Sequence, residues 1–100
     1  MSTYRKADDR REEILEAACE LAEKDHYSRV RRHHLVEQCN TAAGNVSRIM
    51  GGMAEMRTRL IEYALLHGRD IVVAQAIIDK HPAVDHLTAT QRKQMLVAVV

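Results

Sequence analysis

The chain has 100 residues, one domain's worth, with 15 basic and 14 acidic side chains, a formal charge of +1 and 46% apolar residues. That balance excludes a generically polycationic nucleic-acid coat and an acidic disordered tail. Three tyrosines are its only ring hydrophobes, and Gly and Pro number four and one, so the core must come from Leu, Ile, Val, Ala and Met, and a sandwich or barrel with many turns is excluded.

Residues 1–9 are polar and mixed in charge and read as a flexible arm. From Arg10 a helical period sets in, with Ile14, Ala17, Ala18 and Leu21 on one stripe widened by Leu15 and Ala22. Asp9 is a candidate N-cap, with Glu12 three residues on, and the helix should fade at Lys24-Asp25-His26. Tyr27 to Val30 is a connector in which Ser28 is a candidate cap. A short helix over 31–38 should bury Leu35, Val36 and Cys39, and Asn40, which tolerates the left-handed conformation, should end it. Thr41 is placed to cap a third helix over 42–50 with Val46, Ile49 and Met50 inward, stopped by Gly51-Gly52. A fourth helix starts near Met53 and carries Met56, Leu60, Tyr63 and Ala64 on one side, up to a weak break or kink at Gly68-Arg69-Asp70. The segment 71–78 is apolar nearly all round and ends at Lys80-His81-Pro82. Thr88 with Gln91 resembles a capping box for a last helix over 89–100. The chain reads as all-α, with five or six helices.

No run of about 18 apolar residues is present, so no transmembrane helix is expected. No apolar stretch follows the first six residues, so a secretory signal is not expected either, and a cytoplasmic location follows. Cys19 and Cys39 could form one disulfide, but without export they are expected reduced, as packing residues on the inner stripes of the first two helices.

Two short helices joined by a tight turn at Asn40-Thr41 make a helix-turn-helix pattern, in which one helix crosses the DNA backbone and the next enters the major groove. Any small helical domain has short helices and polar turns, so the pattern alone is a weak signal. Residues 10–60 also resemble, without a gap, the N-terminal DNA-binding domain of the tetracycline-repressor (TetR) family. Ile14-Leu15-Glu16-Ala17-Ala18 with Leu21 matches the opening helix, Tyr27 the aromatic step, Leu35-Val36 the Ile-Ala pair, and Gly44 and Val46 the small and apolar positions of the recognition helix. Departures are His26 and Asn40 for glycines, Ala42 for Ser, Ser47 for a phosphate-contacting Tyr, Met50 for an aromatic and Met53 for a phosphate-contacting Lys.

The resemblance implies a TetR-like three-helix DNA-binding unit over 10–52, with residues 53–100 supplying a connecting helix and two or three helices for dimerisation. Phosphate contacts would fall to Arg29, Arg31, Arg32, Ser47 and Arg48, with Arg57, Arg59, Arg10, Arg11, Arg5 and Lys6 as further sources of charge. Base edges would meet Thr41, Ala43 and Asn45 at the leading end of the recognition helix; Asn suits adenine, and Ala or a Thr methyl suits a thymine methyl. About forty residues after this unit are too few for an enclosed ligand cavity plus a dimer bundle, so no small-molecule effector is expected. The apolar excess of Ile71, Val73, Ile77, Ile78, Leu96 and Val99 suggests a twofold interface; the bland alternative is two helices folding back in a monomer.

His33, His34, His26 and Cys39 lack zinc-site spacing, so no metal or other cofactor is expected. No phosphate loop, nucleophile elbow or triad is present, and the acids of the first helix read as its solvated face, so the chain is not expected to be an enzyme. The expected function is a small, sequence-specific, DNA-binding transcription regulator, homodimeric on a palindromic double-stranded site. Its rivals are a helical protein-interaction module, such as an adaptor or antirepressor, that does not bind DNA, and a DNA-packaging or replication accessory protein.

Overall fold

A computed structural model describes residues 7–97, with side chains from Arg10 onward. Among the described residues the chain is all-helical: α1 (Ala7–Lys24), α2 (Arg32–Cys39), α3 (Ala43–Met50), α4 (Met53–Leu66), α5 (Asp70–Ile78) and α6 (Ala89–Val97), with short 3-10 turns at Tyr27–Arg29 and Pro82–Val84. None of the helices is long and apolar enough to cross a membrane. Residues 1–6 of the expected arm, and residues 98–100 with Val99, lie outside the described residues.

α1 is the central element and packs against α2, α3, α4 and α5. Its predicted stripe is buried at Ile14, Leu15, Ala17, Ala18, Cys19 and Ala22, while Leu21 is only partly covered. The alanines let neighbouring helices come close without a gap, which suits a core built without large rings. Leu35 and Cys39 of α2, Val46, Ile49 and Met50 of α3, and Met56, Leu60, Ile61, Tyr63 and Ala64 of α4 close around it. Both cysteines are buried free thiols. Burial pushes the Cys19 thiol up to about 12, so it stays protonated and inert.

Several local expectations are corrected. α1 already includes Asp9, which is therefore not its N-cap. Ser28 does not cap α2: it lies in the 3-10 turn, where His26 Nδ1 accepts its backbone N–H at 3.1 Å. The residue before α2 is Arg31, whose backbone N–H donates to His34 Nδ1 at 3.0 Å. Thr41 does not cap α3 either: Ala42 holds that position without a side-chain bond. The box before α6 forms as expected, with the Thr88 N–H on Gln91 Oε1 at 2.8 Å and the Gln91 N–H on Thr88 Oγ1 at 3.1 Å.

α5 is not apolar for a partner's sake over its whole surface. Val72, Val73, Ala74, Ala76 and Ile77 enter the chain's own core, so Val73 and Ile77 are not open to a second chain. Ile71 and Ile78 are exposed, at 43% and 68%. α6 buries no residue fully; Met95 and Leu96 rest partly covered against the core, and Val97 is exposed.

The acids of α1 are not all a solvated face. Arg69, just after the left-handed Gly68 that ends the turn behind α4, reaches back to α1. Its guanidinium bonds Glu16 through Nη1 and Glu23 through Nε, the latter at 3.2 Å, and Tyr63 Oη donates to the other oxygen of Glu16 at 2.8 Å. Arg69 thereby ties the α4–α5 junction to α1. The Arg69 hydrogen bond, then that of Tyr63, hold the Glu16 carboxyl below its usual range. A second tie joins the connector to α5: Tyr27 Oη donates to Asp79 at 2.8 Å, its N–H donates to Gln75 Oε1 at 3.0 Å, and Gln75 Nε2 donates to the Ala22 carbonyl at 2.9 Å.

Arg69→Ala should lower unfolding free energy by about 1–2 kcal/mol in urea titrations, the value of partly exposed charge-assisted bonds. Because the carboxyl of Glu16 is depressed in the fold, its contribution is whole at neutral pH and is lost as acid protonates it, below about 4.5. The stability gap between the native chain and Glu16→Gln should therefore close in that acid window; a gap independent of pH contradicts the assignment.

Candidate nucleic-acid interface

α3 is two turns long, and helices of that length have little stability of their own. It persists because Val46, Ile49 and Met50 are buried between α1, α2 and α4. Its ends are set by two left-handed residues, Asn40 (φ 50°) after α2 and Gly51 (φ 77°) after α3. At that φ a side chain is strained, which is why glycine suits position 51; the nearest atom to an added Cβ, Glu55 Oε2, is the end of a flexible side chain. Arg59 Nη1 donates to the Ile49 carbonyl, a cation satisfying the C-terminal end of α3.

Going round α3 in steps of about 100°, the buried side chains centre one face, and Gly44 and Arg48 lie opposite. Ala43 and Ser47 flank that outer face on one side and Asn45 on the other, with Thr41 just ahead of the helix. Ala43, Gly44 and Arg48 are exposed, and Thr41, Asn45 and Ser47 are half-buried. The sequence-predicted base-facing residues are thus at the surface rather than sealed in the core. Three of the predicted residues are joined: Asn45 Nδ2 donates to Thr41 Oγ1 at 3.2 Å, and Arg48 Nη2 donates to Asn45 Oδ1 at 3.0 Å. The central place of Gly44 and Arg48 follows from counting residues around the helix, whereas the Thr41–Asn45–Arg48 ladder is seen only in the structure.

The predicted phosphate contacts differ in availability. Arg31 and Arg32 are exposed at the start of α2 and have no carboxylate partner among the described residues. Cations there oppose the helix dipole, a local cost that a bound anion would relieve. Arg29 is also exposed but lies 3.5 Å from Asp25. The further basic candidates are engaged in the fold: Arg57 Nη2 donates to the Ser28 carbonyl at 3.0 Å, Arg59 serves α3 and lies 3.7 Å from Glu55, and Arg10 is 3.6 Å from Glu13. Arg57 steadies the connector from which Arg29 to Arg32 project. Arg5 and Lys6 lie outside the described residues. His33 is exposed, and its ring lies 4.1 Å from that of His34, whose Nδ1 is used as an acceptor. Among the described residues no three His, Cys, Asp or Glu side chains gather as a metal site.

No family model matches the chain, and neither does any curated protein or solved structure.

Gly44 is helical and its added Cβ would meet nothing within 4 Å. Gly44→Ala should therefore raise stability by about 0.5–1 kcal/mol through helix propensity alone, read as a shift in urea midpoint. A loss of stability would mean that the outer face of α3 is packed against something.

Proposed function

We propose that the chain is a small, sequence-specific, DNA-binding transcription regulator with a TetR-like helix-turn-helix, acting as a homodimer on a palindromic site. The observation that carries this is the division of α3: its apolar side is fully used by the core, while its outer side is exposed at Ala43, Gly44 and Arg48, flanked by half-buried Asn45 and Ser47. In a helix-turn-helix that outer side enters the major groove, and the start of α2 faces the strand. Arg31 and Arg32 supply positive charge where the phosphates would lie. Affinity for a backbone needs such local charge, and a chain of net charge +1 can provide it where half of its acids lie elsewhere, on α1.

Dimerisation would use the apolar side chains that the protomer leaves open, Ile71 and Ile78 about two turns apart on one face of α5, with Leu66 and Val97 also exposed. Those same residues favour the rival reading, a helical interaction module that docks another protein and ignores DNA.

Arg31→Ala with Arg32→Ala should weaken binding to every duplex sequence and reduce the salt dependence, the slope of log K against log salt, by about two per protomer and so about four for the dimer. Titration of a random duplex at low and moderate salt measures both. If the native protein binds no duplex in dilute buffer, the interaction-module reading takes its place. Ile71→Asp with Ile78→Asp should convert a dimer to monomer in sedimentation without unfolding the protomer, since both side chains already face solvent. A native chain that sediments as a monomer at high concentration contradicts the dimer.

A further inference from the structure

We infer that Arg48 is the base-reading side chain of α3, that the base it reads is guanine, and that Asn45 acts through it. This rests on the DNA-binding function proposed above and reverses two roles that residue type suggests, Arg48 for phosphate and Asn45 for adenine.

Residues at the leading end of a recognition helix meet base edges, whereas later ones reach the backbone. Arg48 lies in the last turn of α3, which by position alone assigns it to a phosphate. Its side chain does not stay there. The 3.0 Å bond from Nη2 to Asn45 Oδ1 lays the guanidinium back toward the helix start, along the direction in which helical side chains lean. Gly44 lies one turn before Arg48 on the same line, and the space outside it is empty.

The donors and acceptors then select the base. Asn45 has both ends of its amide engaged, Nδ2 on Thr41 Oγ1 and Oδ1 under Arg48. The amide cannot be turned over, because its NH2 would then face the guanidinium donors. Pairing with adenine needs both ends of the amide aimed at the base, so Asn45 would have to give up the ladder to read it. Arg48 has five N–H groups and spends one on Asn45. Those left are all donors, arranged in a planar fork. Guanine is the base that offers two neighbouring acceptors, O6 and N7, on its major-groove edge. No carboxylate among the described residues competes for Arg48. Asn45 is therefore a positioning residue, held from behind by Thr41.

Selection of bound sequences from a random duplex pool, with the native protein, Arg48→Ala and Asn45→Ala, tests this. The native protein should enrich one guanine per half-site at a fixed position. Arg48→Ala should lose that preference and keep the others, and Asn45→Ala should weaken the preference at the same base rather than at a different one. Replacing that guanine by 7-deazaguanine removes the N7 acceptor and leaves base pairing intact. It should cost the native protein about tenfold in affinity and cost Arg48→Ala nothing. If Arg48→Ala instead weakens binding equally on all sequences and leaves the consensus unchanged, Arg48 is a phosphate contact and the inference fails while DNA binding stands. A native protein that binds no duplex at all overturns the functional proposal and the inference with it.

Discussion

The inward anchoring of α3 is the constraint on which the rest of the structure depends. A helix of eight residues cannot hold itself in water, so its three apolar side chains must be taken up by the core for it to exist. Val46, Ile49 and Met50 supply that, and they fix the rotation of the helix about its own axis. Once the rotation is fixed, Gly44 and Arg48 are forced outward. Asn40 and Gly51, each in the left-handed region, limit the helix to this length and keep both flanking turns tight. A polar outer face is thus a direct consequence of the burial of three side chains.

The second half of the chain supports that arrangement with polar ties more than with a large core. A domain this small buries limited apolar area, and directional bonds between elements help select one packing among several. Arg69 holds Glu16 and Glu23 of α1 and so secures the α4–α5 junction against the central helix. Tyr27, bonded to Gln75 and Asp79, fixes the connector that leads into α2. Arg57 fixes the same connector from α4. These bonds also sort the charges. Two of the α1 acids are consumed by Arg69, and Arg57 and Arg59 are turned inward, whereas Arg31, Arg32 and Arg48 remain available on the helix-turn-helix.

The helices and most of the core are legible in the sequence because burial on one side imposes a period of 3.6 on apolar residues. The stripe from Ile14 to Ala22, the inner face of α3, the break at Asn40 and the box at Thr88 and Gln91 all follow from such local rules. Caps were harder to read. Ser28 and Thr41 are good caps by type, yet His26, His34 and the bare backbone at Ala42 take those places, because the path of the connector decides which side chain reaches an open N–H. Long-range pairs leave no periodic trace: Arg69 lies 53 residues from Glu16, and nothing local distinguishes it from any arginine beside a glycine. The exposure of Ile71 and Ile78 beside the burial of Val73 and Ile77 likewise depends on which face of α5 meets α1 and α4, which a segment apolar nearly all round does not reveal. At the candidate site the surface position of Thr41, Ala43 and Asn45 is legible, but the ladder that joins Asn45 to Arg48 appears only with coordinates.

The central claim is that the outer face of α3 and the start of α2 together form the surface that meets duplex DNA. Titration of isotope-labelled protein with a duplex, followed through the backbone amide resonances, tests it most directly. The largest shifts should fall on residues 41–48 and 31–34, with α1 and the exposed side of α5 little changed. Shifts confined to the surroundings of Ile71 and Ile78, or no shifts at low ionic strength, would contradict it.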